Sequence, residues 1–297
     1  MVEDGRSDAD APAYPAHIRV LRLPERRGPA AARNRGAALA TGDVLFFVDA
    51  DVVVPVTAVA TVQSSMSDPT VDAAIGSYDR NPQAPNFVSQ FKNLAHRFFH
   101  QTAGDTGSTF WGACGAIRRT TFVALGGFDE RFAQPSIEDI ELGVRLSRRG
   151  GRIRIQKDLE VTHLKRWTLA SLIRTDIRQR ALPWSALLLA SGPIPNQLNL
   201  THRARLAVAL TGVLLASLLA TALAPRAMWV AAAAALALLV IDWPLWTYFA
   251  GERGWWFAVR TVPMQWLYYT YSGAAFAWVW LTGDWRRQRS ASVQEPA

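Results

Sequence analysis

Two aspartates one residue apart follow a short apolar run in the segment DVLFFVDAD, residues 43–51. If the run is a strand, side-chain alternation places Asp49 and Asp51 on the same side of the backbone at its carboxyl end. Two carboxylates at that place can share a divalent cation, Mg²⁺ or Mn²⁺, with a ribose or a diphosphate. Aspartate is also common in solvated turns where strands end, so a plain turn is the alternative.

A second segment with residues that could bind a ligand, GPAAARNRG at 28–36, lies a short distance upstream. Its Gly-Pro pair suits the start of a helix, and its small residues let that helix pack closely on a sheet. Arg33 could then reach a base, a ribose or a phosphate. The alternative is a tightly packed helix that only exposes an arginine.

Further candidates follow in the second half of the polar region. Glu138 and Asp139 open a helical pattern, where the helix dipole also stabilises acidic side chains that have no catalytic role. His163 could ligate a metal or contact a diphosphate, or be an ordinary surface histidine. Lys165 suits phosphates or lipid headgroups. Trp111 could stack on an acceptor sugar or lipid, or be a buried aromatic residue.

The elements that must position these residues alternate between strands and helices. The predicted strands are 18–23, 44–48 and 73–77, and the predicted helices lie near 30–40, 55–67 and 86–101. This alternation predicts βαβ units and an α/β fold with a mostly parallel sheet. Ligands of such sheets bind at the carboxyl ends of the strands, where Asp49 and Asp51 are expected.

The composition excludes several classes of function. The chain has 297 residues with 32 basic and 24 acidic side chains, but no zinc-finger, helix-turn-helix or single-strand stacking pattern accompanies the basic excess. We therefore expect no nucleic-acid partner. Cys114 is the only cysteine, so an intramolecular disulfide and a thiolate-based structural zinc site are both excluded.

Three long apolar runs, 206–224, 227–250 and 261–281, dominate the C-terminal third. Each approaches the roughly 20 residues that a helix needs to cross a bilayer. Basic residues next to the first two runs predict a multi-pass protein of the cell (inner or plasma) membrane with its N-terminal domain in the cytosol. The third run contains Pro263 and could span fully, be re-entrant or be interfacial. The segment 167–189 is predicted to be an amphipathic helix on the membrane surface, broken at Pro183, with a core helix as the alternative.

Together, GPAAARNRG and DVLFFVDAD resemble the family 2 glycosyltransferases, the large GT-A group that transfers sugars from nucleotide diphosphates. The segment GGFDE at 126–130, followed by the helix that begins at Glu138–Asp139, resembles the acceptor-side segment of that family. The resemblance covers roughly residues 2–190. It implies a GT-A fold, a nucleotide-diphosphate sugar donor and a divalent cation.

The resemblance also implies a mechanism, a single displacement with inversion. Asp139 matches the position of the catalytic base, which takes the proton of the acceptor hydroxyl. Asp51 would hold the cation and Asp49 would lie on the ribose side, with His163 as a further possible ligand. Glu138 would lie near the acceptor or the diphosphate.

Two other segments resemble family motifs with departures. VEDGRSD at 2–8 resembles the nucleotide-binding turn, which makes Glu3 and Asp4 candidate donor contacts and implies that a first strand and first helix are missing. RQRALPW at 178–184 resembles the Gln-x-x-Arg-Trp motif of sugar polymerases, but Leu182 stands where arginine is expected. A processive polymerase is therefore disfavoured, and Arg180 and Trp184 remain candidate acceptor or diphosphate contacts.

The sequence thus predicts an inverting, metal-dependent glycosyltransferase that acts on a membrane-associated acceptor, either a lipid or polyprenyl phosphate or a growing glycan. The alternative is a catalytically inactive membrane scaffold or binding subunit. The expected divisions are a GT-A domain, interfacial helices, two or three transmembrane helices and a polar tail, at 1–165, 166–200, 201–285 and 286–297.

Overall fold

The computed structural model describes residues 1–5, 14–283 and 285–286. Residues 6–8 of the predicted nucleotide-binding turn lie outside the described residues, as does the predicted polar tail from 287 onward.

The described strands and helices are interspersed as far as His163, and the described elements after it are all helical. The strands are β1 (Val2–Asp4), β2 (Leu21–Leu23), β3 (Val44–Val48), β4 (Val52–Val53), β5 (Ala73–Tyr78), β6 (Thr106–Gly107), β7 (Cys114–Arg118) and β8 (Ile153–His163). The α-helices are α1 (Pro29–Leu39), α2 (Ala58–Met66), α3 (Phe87–Thr102), α4 (Arg119–Ala124), α5 (Glu138–Arg148), α6 (Leu169–Thr175), α7 (Leu182–Ser191), α8 (His202–Ala220), α9 (Ala227–Ile241), α10 (Trp243–Arg253) and α11 (Trp255–Thr282).

The chain forms two compact units. The first comprises Met1–Tyr78 and Ala103–Leu164, and the second comprises Asp79–Thr102 with the described residues from Lys165 onward. This division differs from the predicted domain 1–165, because the segment that carries α3 groups with the C-terminal helices.

The sheet of the first unit is mixed. Its six strands have the order β3-β7-β5-β8-β4, with β6 also paired to β8. Among the described ladders of this sheet, only β5–β8 is parallel, while β1 and β2 form a separate parallel pair. The prediction of a mostly parallel sheet is therefore wrong. The short strand β7 follows a loop and not a crossover helix, so it can insert antiparallel between β3 and β5.

Most elements predicted before residue 102 are present. The strand predicted at 44–48 is β3 with the same bounds, and the strand predicted at 73–77 is longer by one residue. The strand predicted at 18–23 is shorter, since only Leu21–Leu23 pairs with another strand. The three predicted helices correspond to α1, α2 and α3.

Apolar packing between α2 and the sheet holds the end of β3 in place. Val62 and Met66 of α2 pack with Ala116 of β7 and Leu159 and Val161 of β8 in one buried cluster. A fully buried side chain of this size contributes about 1.5–3 kcal/mol. Val44 and Phe46 of β3 pack against this cluster, so the strand that precedes Asp49 and Asp51 is attached to the core.

The segment predicted as one surface helix broken at Pro183 has a different geometry. Helix α6 passes into a π-helical segment, Asp176–Ala181, and then into α7, with Pro183 in the first turn of α7. The break at Pro183 is therefore a wrong prediction, because proline is tolerated in a first turn. The irregularity lies at Asp176, a buried carboxylate that accepts hydrogen bonds from Lys92 Nζ at 2.8 and 2.9 Å and from the Tyr271 hydroxyl at 2.7 Å.

The apolar runs form fewer candidate spans than predicted. Among the described helices, α8 alone is long and apolar enough to cross a bilayer by itself. The run 227–250 divides at Asp242 into α9 and α10, which bend by 59° and meet the same criterion only when taken as a single span. The third run lies within α11, a continuous 28-residue helix that includes Pro263 and does not meet the criterion.

The indication of a membrane is therefore weaker than predicted, and the described helices do not support a multi-pass protein. The outward side of α8 is nonetheless apolar, with Leu219 79% exposed.

Candidate active site

Arg33 connects two acidic groups that are far apart in the sequence. Its Nη2 donates to Oδ1 of Asp49 at 2.6 Å, and its Nη1 donates to Oε1 of Glu138 at 2.7 Å. Burial disfavours a charged guanidinium, but the carboxylates of Asp49, Glu138 and Asp139 outweigh it and raise the pKa of Arg33 above its usual value. The structure thus brings the end of β3 and the start of α5 to one place.

Helix α1 can deliver Arg33 to this position because its inner face is small. Ala30 and Ala31 are buried against the rest of the unit. Gly28, which precedes the helix, has a φ of 91°, and a Cβ on it would lie 2.4 Å from the carbonyl oxygen of Ala133. The segment therefore requires glycine before the helix and alanine within it.

Glu138 is an anchor for Arg33 in this arrangement. Its side chain is only 5% exposed, and its second oxygen accepts a hydrogen bond from the backbone N–H of Ser136 at 2.9 Å. The predicted contact of Glu138 with an acceptor or a diphosphate stays a prediction. The predicted contact of Arg33 with the donor also stays a prediction, and its guanidinium binds carboxylates of the chain in this structure.

Asp139 lies at the same helix start but remains partly open. Its Oδ2 accepts a hydrogen bond from the backbone N–H of Gly112 at 2.9 Å, and its Oδ1 accepts one from Ile140 at 2.8 Å. Burial, followed by the negative charge of Glu138, raises the pKa of Asp139 to about 6, against the opposing effects of Arg33 and of these hydrogen bonds. A carboxylate with a raised pKa is a better proton acceptor.

The second aspartate of the pair faces a histidine. Oδ2 of Asp51 lies 3.6 Å from Nε2 of His163, which is the last residue of β8 and pairs with Val52 in β4. The His163 ring stacks on Tyr78 with 4.4 Å between ring centroids, and Tyr78 meets Trp111 edge to face at 4.9 Å. Trp111 directly precedes Gly112, so the candidate residues form one connected group.

Asp51 and His163 together offer two ligands to a divalent cation. The Asp51 carboxylate is 46% exposed and His163 Nε2 faces it, which is a carboxylate–imidazole pair of the kind that binds Mn²⁺. The described residues contain no cluster of three or more potential ligands, so Asp49, Asp51 and His163 do not form the predicted three-residue set. Asp49 instead has one oxygen committed to Arg33.

The part of the chain that contains Arg33, Asp49 and Asp51 is similar to a known protein family. The model for Glycosyl transferase family 2 matches residues 3–126, less than half of the chain, which include β2 to β7, Arg33, Asp49 and Asp51. This part of the chain is similar to that family. Glu138 and Asp139 lie beyond the matched residues, so their assignment depends on the geometry described above.

Similarity to curated proteins covers more of the chain than the family model does. A "Pre-mycofactocin glycosyltransferase", found in two strains of Mycobacterium tuberculosis, is 31% identical over 162 residues, which is 52% of this chain and 34% of the relative. The chain thus spans about a third of the length of the curated relatives it matches.

A solved structure supports the GT-A fold. A mannosyltransferase from Pyrobaculum calidifontis, in complex with GDP-Man and Mn²⁺, aligns with a TM-score of 0.52 at 21% identity and covers 88% of this chain and 69% of its own. This similarity confirms the predicted GT-A fold, whose sheet is mixed and not mostly parallel as predicted.

The two acidic residues of the predicted nucleotide-binding turn have hydrogen-bond partners within the first unit. Glu3 accepts hydrogen bonds from the Tyr14 hydroxyl at 2.7 Å and from Arg22 Nε at 2.9 Å. Asp4 accepts hydrogen bonds from the backbone N–H groups of Arg27 and Gly28, both at 2.8 Å. Asp4 therefore holds the entry to α1, and its contact with a nucleotide stays a prediction, as does that of Glu3.

Three other predicted residues belong to the second unit. Lys165 lies over the ring of Trp167 at 4.2 Å, and Arg180 Nη1 lies 3.8 Å from Asp176 Oδ1. Trp184 is partly buried, and its indole nitrogen has no hydrogen-bond partner in the described part of the chain. Their predicted contacts with an acceptor or a diphosphate stay predictions.

Sequence reasoning missed three residues that organise the site. Gly112 binds Asp139 through its backbone, and a Cβ on it would lie 3.1 Å from Arg33 Cζ. Tyr78 joins His163 to Trp111. Asn34 exchanges two 2.9 Å hydrogen bonds with the backbone of Phe128 and so attaches the GGFDE loop to α1. Only Asn34 carried a signal, since it lies beside Arg33 in the segment that resembles the family.

Proposed function

We propose that this chain is an inverting, metal-dependent glycosyltransferase that moves a sugar from a nucleotide-diphosphate donor to a membrane-associated acceptor, a lipid or polyprenyl phosphate or a growing glycan. The observation that carries the proposal is the Arg33 bridge, because it joins Asp49, at the end of β3, to Glu138, the neighbour of Asp139 at the start of α5. The similarity of residues 3–126 to Glycosyl transferase family 2 supports the donor class.

Asp139 is the catalytic base in this proposal. One of its oxygens takes the proton of the acceptor hydroxyl while that hydroxyl oxygen forms a bond to the anomeric carbon. The bond between the anomeric carbon and the diphosphate oxygen breaks on the opposite face, and the nucleoside diphosphate leaves. Each Asp139 oxygen accepts one backbone hydrogen bond, which fixes the carboxylate and leaves a second lone pair for the proton.

Asp51 and His163 would hold the cation, with the open oxygen of Asp49 directed to the ribose side. A bound Mg²⁺ or Mn²⁺ supplies positive charge that offsets the charge developing on the departing diphosphate. The carboxylate and the imidazole leave most coordination positions open, which suits a cation that also binds a diphosphate. The Mn²⁺ named with the Pyrobaculum structure favours the same class of ion.

The acceptor class follows from the C-terminal helices. The exposed apolar side of α8 supports an attachment to a bilayer, and an acceptor presented at its surface would meet the enzyme there. Activity on polyprenyl phosphate in liposomes, compared with activity on a soluble acceptor, tests this part of the proposal. Equal rates with the two acceptors would contradict it.

The decisive experiment measures nucleoside diphosphate release from a panel of donor sugars by the full chain, with and without Mn²⁺. Asp139→Asn should reduce the rate by roughly 100-fold or more, the range of general-base contributions. Asp158→Asn is the matched control, because Asp158 is an exposed aspartate of β8 in the same unit. Equal rates for the two variants would remove Asp139 from the base role.

One observation favours the alternative of an inactive binding or scaffold subunit. The carboxylates of Glu3 and Asp4 are already hydrogen-bonded within the domain, so the donor side has fewer acceptors to offer a nucleotide. This alternative predicts nucleotide binding without release of nucleoside diphosphate from any donor in the panel.

A further inference from the structure

A recess of about 540 Å³ lies in the second unit, and none of its lining residues is assigned to catalysis above. It is formed where α10 ends and α11 begins, at Gly254, against the start of α3. Its lining combines two guanidinium groups with aromatic rings: Pro85, Phe87, Gln90, Arg253, Trp256, Phe257 and Arg260. This volume is in the range of small-molecule sites.

The two arginines of the recess differ in how they are held. Arg253 donates from Nε to Gln90 Oε1 at 3.0 Å and from Nη1 to the carbonyl oxygen of Glu252 at 2.8 Å, so its position is fixed by the fold. Arg260 lies over the ring of Phe87 at 4.2 Å. No carboxylate of the described residues lies within ion-pair distance of Arg260, so its five N–H donors can bind an incoming anion.

The surroundings of the recess carry an excess of positive charge. Glu252 is shared among three arginines, at 3.8 Å from Arg80 and 3.9 Å from both Arg97 and Arg253. One carboxylate cannot neutralise three guanidinium groups, and Arg260 adds a fourth. An anionic ligand is therefore favoured over a neutral or cationic one.

Tryptophans at the rim indicate that the ligand belongs to a lipid surface. Trp256 is 75% exposed, and Trp243 and Trp255 form an exposed pair with ring centroids 5.9 Å apart on the same corner. Tryptophan is enriched where a membrane meets water, because its ring is apolar and its N–H is polar. An acidic peptide would not require such a rim.

We propose that this recess binds the phosphate headgroup of an anionic phospholipid, with Arg253 and Arg260 on the phosphate and Trp256 on the glycerol and first acyl carbons. The site would hold the α10–α11 corner at the headgroup level of a leaflet. Lipid binding at this recess does not depend on transfer activity.

Native mass spectrometry of the full chain in neutral detergent tests the proposal. The probes are dihexanoylphosphatidylglycerol, which is anionic, dihexanoylphosphatidylcholine, which is zwitterionic, and inorganic phosphate. We expect the anionic lipid to bind the wild-type chain more tightly than either of the other probes. Equal binding of the zwitterionic lipid would overturn the electrostatic argument, and equal binding of inorganic phosphate would overturn the assignment to a lipid.

Variants locate the binding. Arg260→Gln should weaken binding of the anionic lipid by about tenfold, since a charge-assisted hydrogen bond is lost. Arg226→Gln, which removes an exposed arginine from the loop before α9, should change it less than twofold. Trp256→Ala should weaken binding several-fold, and Trp229→Ala, which removes a tryptophan 72% exposed at the start of α9, should not.

These outcomes are separate from those of the transfer assay. Arg260 is exposed, so Arg260→Gln should fold normally, and an unchanged unfolding temperature confirms this. If Arg260→Gln binds the anionic lipid as tightly as Arg226→Gln does, the recess is not the site. The Asp139 assay would be unaffected by that result.

Discussion

Replacement of Arg33 by methionine tests the organisation of the site directly. Methionine keeps the length and the apolar stem of the side chain but removes the guanidinium that binds Asp49 and Glu138. Glu138 would then keep a carboxylate that is only 5% exposed, hydrogen-bonded to the Ser136 N–H but without a cationic partner. A buried charge without its partner costs about 3–5 kcal/mol.

The two ion pairs of Arg33 contribute unequally to this cost. Asp49 is 35% exposed and can be hydrated when Arg33 is lost, so its share is at most about 1 kcal/mol. The larger share belongs to Glu138. The double variant Arg33→Met with Glu138→Gln should therefore recover much of the lost stability, because the uncompensated charge is removed as well.

The assay is the free energy of unfolding for the wild type, the two single variants and the double variant, measured in the same detergent. We expect a coupling energy of about 2 kcal/mol or more between Arg33 and Glu138. Arg35→Met is the matched control, since Arg35 is an exposed residue of the same helix and should cost less than about 0.5 kcal/mol. A coupling energy near zero would refute the reasoning that Arg33 holds the site together.

Three further predictions concern the reaction. Because the pKa of Asp139 is raised to about 6 and the base must be ionised, kcat should fall as the pH decreases through about 6, and a rate that is flat from pH 7 to 5 would contradict this. Chelation of divalent cations should abolish nucleoside diphosphate release. Asp51→Ala or His163→Ala should raise the Mn²⁺ concentration for half-maximal rate by roughly tenfold or more. An unchanged Mn²⁺ concentration for half-maximal rate would exclude the pair as ligands. Gly112→Ala should lower kcat by about tenfold, because the new Cβ would lie 3.1 Å from Arg33 Cζ and displace Arg33 and Asp139, which both contact Gly112. Gly104→Ala should leave kcat unchanged, because its Cβ would meet nothing within 4 Å.

The sequence predicted those parts of the site that depend on local pattern. Val44–Val48 was predictable because a short continuous apolar run that stops at a pair of aspartates is typical of a buried strand and the turn after it. The order of the strands could not be predicted in the same way. Strand β7, Cys114–Arg118, is short and contains a glycine, and its insertion between β3 and β5 depends on partners distant in sequence.

Contacts made by backbone atoms were also beyond the reach of sequence reasoning. The N–H of Gly112 fixes Asp139, but nearly every residue type has a backbone N–H group, so no residue type reveals this contact. The partners of Arg33 were hidden for a related reason. An arginine on a helix can face solvent, a ligand or a carboxylate, and only the fold decides among these.

The charge of the site supports the proposed requirement for a metal. Asp49, Asp51, Glu138 and Asp139 come from the end of one strand and the start of one helix, and Arg33 can neutralise at most one of the four carboxylates. A nucleotide diphosphate carries negative charge of its own, so it would be repelled from this group in the absence of a cation. The guanidinium cannot meet the diphosphate while it joins Asp49 to Glu138. Positive charge for the donor must therefore come from another source, and the exposed carboxylate of Asp51 beside His163 is the place where the domain offers ligands for it.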